Sequence, residues 1–293
     1  MVNKHTPATI IADLLIGLVV GLMTLSCLLP LLNMVAVSFS SSEAATANLV
    51  GLWPRDFTVA SYSKLLKDTQ FGRSFSISVL RAVIGTALSL ILVILMAYPL
   101  SKNKREFRSQ PVYMNLVIFS MLFSGGLIPT YIVVFKLGLV NTFWSLILPG
   151  AVSSWNVILM MNAFRAAPKS LEESALIDGA TQWSILFRIY LPVCLPTFAM
   201  IALFSVVGHW NDYFSGLLYI TQVKNYPLQT YIQQLNVDVT RISDPQKMIE
   251  FMKISTRTLN SAKIVVATVP LLLIYPFLQR YFVTGIVVGS VKE

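Results

Sequence analysis

Glu172, Glu173, Asp178 and Gly179 fall within one short polar stretch that is flanked on both sides by long apolar ones. Nothing around them supplies a nucleophile, a proton-transfer pair or a set of metal ligands. The two histidines are His5 and His209, and the two cysteines, Cys27 and Cys194, lie far apart in apolar runs. No C-x-x-C or H-E-x-x-H spacing occurs, so neither a disulfide framework nor a metal site is expected. What remains for these carboxylates is non-covalent work, namely contact with another protein. A second polar set, Arg81, Asn156, Asn162, His209, Asn211 and Asp212, lies inside apolar runs. Polar groups in such places are costly and are therefore candidates for function. The competing role for each is an interhelical hydrogen bond worth about 1 kcal/mol. Asn156 and Asn162 are six apart on one helix, so they cannot both face a single pore equally. Arg81, about two turns into its run, can snorkel outward or attract an anionic ligand, and both readings stand.

The elements that must position these groups are membrane helices. Of 293 residues, 55% are hydrophobic and only 12% charged, where soluble chains carry about a quarter charged residues. The net charge of +9 is spread among apolar spans, which fits loops gripping lipid headgroups rather than nucleic acid. Six stretches are apolar enough to cross about 30 Å of hydrocarbon as helices: roughly 12–38, 76–100, 111–135, 142–164, 190–220 and 263–284. The predicted architecture is one all-α integral membrane domain over residues 1–293. After Asp13 the chain is uncharged until Glu43, too long a run for a secretion signal, so the first span is expected to stay. Four basic residues crowd the turn 101–110, which places the N-terminus and C-terminus on the cytoplasmic side. His209, Asn211 and Asp212 then lie near the outer end of the fifth span, a position that suits a gate or a contact with an extracytoplasmic partner better than a mid-membrane site. The outer loops are 39–75, with Trp53-Pro54 and a cluster of Tyr62, Leu65 and Leu66, and 221–262, with an amphipathic stretch from Lys247 to Leu259 expected as a surface helix.

The polar stretch reads Glu173-Ser174-Ala175, three residues, Gly179, nine residues, then Ile189-x-Leu191-Pro192. Ser170 and Glu173 have the spacing of a capping box, and Gly179 is placed to end the helix. A second short helix is expected over 181–189. The product is a helix–turn–helix knob over 168–192 with Glu172, Glu173 and Asp178 in solvent. This segment resembles the EAA loop of the membrane subunits of ABC importers, with Ser174 where the family usually has alanine. Gly125 through Tyr131, Leu137 through Thr142, Leu148-Pro149-Gly150, Trp210-Asn211-Asp212, Pro227-Leu228-Gln229 and the ending Gln279 through Val283 with Gly285 extend the likeness. Over nearly its whole length the chain resembles carbohydrate-importer permeases of the MalG type, in the branch for complex oligosaccharides.

That resemblance implies the type I importer core of six helices, N-in and C-in, in the inner membrane. It implies that Glu173, Ala175 and Gly179, with Glu172 and Asp178 beside them, couple the chain to an ATPase. It also implies a second, non-identical permease, two ATP-binding subunits that hold ATP and magnesium, and an extracytoplasmic solute-binding protein. The short tail Gly285–Glu293 would reach the ATPase dimer. The chain itself holds no cofactor and no P-loop, so it is expected to transport and not to catalyse. Basic residues of the outer loops (Arg55, Lys64, Lys67, Arg73, Lys224, Arg241, Lys247, Lys253, Arg257 and Lys263) would suit an acidic saccharide such as alginate through long-range steering, and lipid headgroups explain the same charges. The rival readings are an importer permease for a non-carbohydrate solute and a self-contained secondary transporter. The latter would place a carboxylate at the centre of a span, and none is found there.

Overall fold

The computed structural model describes residues 7–235 and 256–290. Every regular element among them is helical: α1 (Pro7–Ser38), α2 (Ser42–Thr46), α3 (Ala60–Lys67), α4 (Thr69–Ser101), α5 (Gln110–Leu122), α6 (Leu127–Lys136), α7 (Ser154–Ala166), α8 (Lys169–Ile177), α9 (Gln182–Val193), α10 (Leu195–Asn211), α11 (Phe214–Tyr219), α12 (Leu228–Leu235) and α13 (Thr256–Ser290), with short 3-10 turns at 143–146, 148–150 and 223–225. Three of these are long and apolar enough to span a membrane singly: Thr9–Ser38, Thr69–Ser101 and Arg257–Ile274. Three further pairs would each make one bent span, which raises the count to as many as six.

Three of the expected spans are bent, the fourth span at the Pro149-Gly150 break that its sequence carries. The stretch expected as one helix over 111–135 is α5 and α6, which meet at 117°. Phe123 is extended and Gly126 adopts φ 87°, a left-handed backbone that glycine tolerates and that a continuing helix cannot use. The expected 142–164 span turns by 53° after Pro149-Gly150. The expected 190–220 span breaks at Cys194, where α9 and α10 meet at 84°. Pro192 and Pro196 flank that break, and each removes an N–H from the helical ladder. It then stops at Asn211, well short of residue 220.

The chain divides into two compact units, residues 1–69 with 235–268 and residues 70–234 with 269–293. In the first, Ala36, Val37, Ala44, Ala45 and Val50 form a small core. Phe39 stacks on Tyr62 at 4.7 Å and on Phe57 at 5.6 Å between ring centroids, and Ser38 and Tyr62 share a 2.8 Å hydrogen bond. Two of the basic residues assigned to steering are engaged by the chain itself. Lys263 is buried, and Arg257 donates to the Ala45 carbonyl and to Asn48 Oδ1. Arg241, Lys247, Lys253 and most of the predicted surface helix lie outside the described residues. The second unit holds the main apolar cluster, to which α4, α7, α8, α9 and α10 contribute, and it carries both candidate sites. The tail expected from Gly285 is helical through Ser290 as the end of α13.

Candidate coupling and pathway sites

α8 begins at Lys169, preceded by Pro168. Ser170 therefore lies inside the first turn, and the predicted capping box with Glu173 does not form. The other end follows expectation. Gly179 takes φ 78°, its N–H reaches the Leu176 carbonyl at 3.1 Å, and the Ala180 N–H reaches that of Ala175 at 2.9 Å. This pair of bonds is a Schellman ending, which needs a residue that accepts the left-handed conformation. Thr181 then caps α9 by accepting from the Ser184 N–H.

The five expected coupling residues divide between two faces. Glu173, Asp178 and Gly179 are exposed, and a Cβ on Gly179 would meet nothing within 4 Å. Ala175 is buried against the main cluster. Glu172, expected in solvent, is turned inward. Its carboxylate is ion-paired with Lys102 Nζ, one residue past the end of α4, and accepts a 2.6 Å hydrogen bond from the Tyr190 hydroxyl. The Lys102 ammonium also lies 4.4 Å from the Tyr98 ring centroid and 4.9 Å from that of Tyr190, a cation–π geometry. Tyr98 donates to Gln182 Oε1 at 2.6 Å. Burial pushes the Glu172 carboxyl up, but hydrogen bonds from Lys102 and Tyr190 and the positive charges of Lys102 and Lys169 outweigh it and hold it below the ordinary carboxylate value. A cavity of about 680 Å³ opens beside this cluster, lined in part by Lys102, Glu106, Arg165, Lys169 and Glu172, with Glu173 at the wall. Lys102, Tyr190 and Tyr98 were not singled out from sequence. Tyr190 occupies the free position of Ile189-x-Leu191-Pro192, the one signal that could have pointed to it.

About 30 Å along α4 from Lys102, at 1.5 Å per residue, Arg81 is 2% exposed. It neither snorkels nor is free to hold an anion. Nε donates to the Leu146 carbonyl at 3.1 Å, a terminal nitrogen donates to the Asp212 carbonyl at 2.8 Å, and the other is ion-paired with the Asp212 carboxylate. Asp212 Oδ1 also accepts from the Ser215 N–H at 3.0 Å. One guanidinium thus joins α4, the 143–146 turn and the junction of α10 with α11. The His209 ring packs on Gly85, where a Cβ would lie 2.7 Å from Nε2. Asn156 is buried near this cluster, whereas Asn162 and Asn211 are exposed and are not brought to it. Asn141, in the left-handed region at φ 65°, accepts from the Thr221 N–H at 2.7 Å. The Leu228 N–H donates to buried Ser78 Oγ at 2.8 Å. The motifs around Asn141 and Leu228 are therefore tied to neighbouring elements at this end of the unit. A cavity of about 420 Å³ is lined by Arg81, Asn156, His209 and Asp212 among others. Among the described residues no group of three or more metal-ligating side chains occurs.

Residues 89–288 match the family described as the binding-protein-dependent transport system inner membrane component. The chain belongs to that family. Protein LplC of Bacillus subtilis (strain 168) is 41% identical over 265 residues, covering 90% of this chain and 89% of its own. The polygalacturonan/rhamnogalacturonan transport system permease protein YtcP of the same organism is 40% identical over 281 residues, covering 96% and 98%. A chain in the crystal structure of a bacterial ABC transporter involved in the import of the acidic polysaccharide alginate superposes with a TM-score of 0.88 at 30% identity, covering 95% of this chain and 99% of that one. This permease is a membrane-embedded subunit of an ABC importer with the type I fold, resident in the inner membrane. It is a transport component rather than an enzyme, and its transport depends on a solute-binding protein.

Proposed function

We propose that this permease imports an acidic oligosaccharide by alternating access and that it is driven through α8 by an ATPase it does not contain. The observation that supports the cargo best is the pairing of near-full-length likeness to the alginate importer chain with 40% identity to a polygalacturonan/rhamnogalacturonan permease. All three named polymers contain uronic acids. Its partners are a second, non-identical permease, two ATP-binding subunits carrying ATP and magnesium, and the solute-binding protein. The chain crosses the membrane six times, each bent pair counting as one span, with α8 and both termini on the cytoplasmic side.

The drive is mechanical. An importer must have two packings of similar free energy that ATP and cargo bias in turn. α8 presents Glu173, Asp178 and Gly179 outward for docking, and holds Glu172 and Ala175 inward against the bundle. A movement imposed on α8 then passes to α4 through Lys102 and to α9 through Tyr190. The test is Gly179→Asp in the full complex, since aspartate tolerates the left-handed backbone better than most residues. The complex should still co-purify, while saccharide uptake stops and cargo no longer stimulates ATP hydrolysis. Uptake at the parental rate would show that α8 is not the docking element.

A further inference from the structure

We propose that the 420 Å³ cavity is a saccharide subsite on this chain, which receives the hydroxyl-bearing part of a sugar ring and not its carboxylate. The inference rests on the reading of the cargo as an oligosaccharide. The cavity lies within the roughly 300–1,000 Å³ usual for small-molecule sites. Its wall carries Asn156, which is 9% exposed. The side-chain amide of Asn156 makes no hydrogen bond among the described residues, and its polar atoms are open to the cavity rather than sealed in the bundle, so its donors and acceptor can pair with a ligand hydroxyl. One position earlier, Trp155, 59% exposed, lines the same cavity with a flat apolar surface and a polar N–H suited to the C–H face of a pyranose. The hydroxyls of Ser89 and Ser205 complete a lining of neutral hydrogen-bonding groups.

Charge decides what part of the sugar fits. Arg81 borders the cavity, but all its described bonds go to Leu146 and to Asp212. The Asp212 carboxylate keeps part of its surface open, with the side chain 29% exposed. A uronate carboxylate placed here would meet a like charge and no free cation, whereas hydroxyls would meet amide, hydroxyl and indole groups.

The experiment uses the complete complex in proteoliposomes with its binding protein, with Trp155→p-benzoylphenylalanine in this chain and radiolabelled oligogalacturonide as cargo. Illumination during ATP-driven uptake should label this chain, and excess unlabelled oligosaccharide should remove the label. Asn156→Leu should lower uptake roughly ten-fold, the worth of a hydrogen bond to a ligand, while Asn162→Leu, outside the cavity, should leave it unchanged. Crosslinking to the second permease with no label from the sugar would overturn the subsite and make this face a subunit contact. Parental uptake by Asn156→Leu would overturn it too. If the unmodified complex takes up no oligosaccharide at all, the cargo reading fails first and the subsite with it.

Discussion

Glu172 and Glu173 are neighbouring carboxylates with opposite surroundings, one held by Lys102 and Tyr190 and the other exposed. Because the folded-state value of Glu172 is lowered, its contribution to stability is fully present above the ordinary carboxylate value and is lost only as pH falls through the lowered one. The link is thus intact at neutral pH. Lys102→Met would leave that carboxylate half-buried without its cation, at a cost of about 2 kcal/mol or more. Adding Glu172→Gln should recover part of the loss, since the two residues act on each other. Thermal midpoints of the purified complex for both single variants and the double variant check this, and additive losses would show that the pair is not coupled. Arg81 supports a sharper expectation. It meets three oxygens with a planar fork that lysine cannot reproduce, so Arg81→Lys should lower the yield of assembled complex almost as much as Arg81→Ala, whose loss is about 3–5 kcal/mol for a broken buried pair. The identities of these residues were readable from sequence as costly polar groups, but their partners were not. Glu172 has the spacing of a surface residue until the packed face of α8 is known, and Arg81 and Asp212 are separated by 131 positions.

Among the elements, the spans announced themselves by apolar length and the break at Pro149-Gly150 by its residues, but the extent of the other breaks did not show. Proline and glycine are tolerated within membrane helices when neighbours satisfy the freed groups, so Gly125-Gly126 and Pro192 could mark either a kink or a full break. The structure makes both full breaks. The turn after α8 was legible, because a glycine in that place has a specific conformational use and Gly179 takes it. Gly216 was not legible, since its need is tertiary. A Cβ there would collide with Thr230 Oγ1 and sit 3.0 Å from Pro227 Cδ, while Thr230 is itself fixed by a bond to the Tyr213 carbonyl. Gly216→Ala should therefore destabilise the junction of α11 and α12 by about 1–3 kcal/mol despite the better helix propensity of alanine. A lowered thermal midpoint of the complex is the expected result, and an unchanged or raised one would mean that α12 can move aside at no cost.

At the scale of the whole molecule, none of the most apolar window of α1 is buried within the chain. A helix that is apolar all round and unburied requires lipid or a partner helix, which suits a subunit built to work in an assembly. Composition made the membrane class plain, and the resemblance of Glu173 through Pro192 to the EAA loop pointed to the importer class. The cargo was less legible, because the basic residues that suggested an acidic sugar prove partly structural: Lys263 is buried, Arg257 is bonded to Ala45 and Asn48, and Arg81 is neutralised by Asp212. The acidic cargo now stands on likeness to relatives rather than on this chain's own charges. ATP hydrolysis by the reconstituted complex, with binding protein present, tests it most directly when oligogalacturonide, alginate oligosaccharide and a neutral arabino-oligosaccharide are added in turn. Stimulation by the acidic oligosaccharides and little by the neutral one is the predicted result. Stimulation by the neutral sugar alone, or by none of the three in an intact complex, would contradict it.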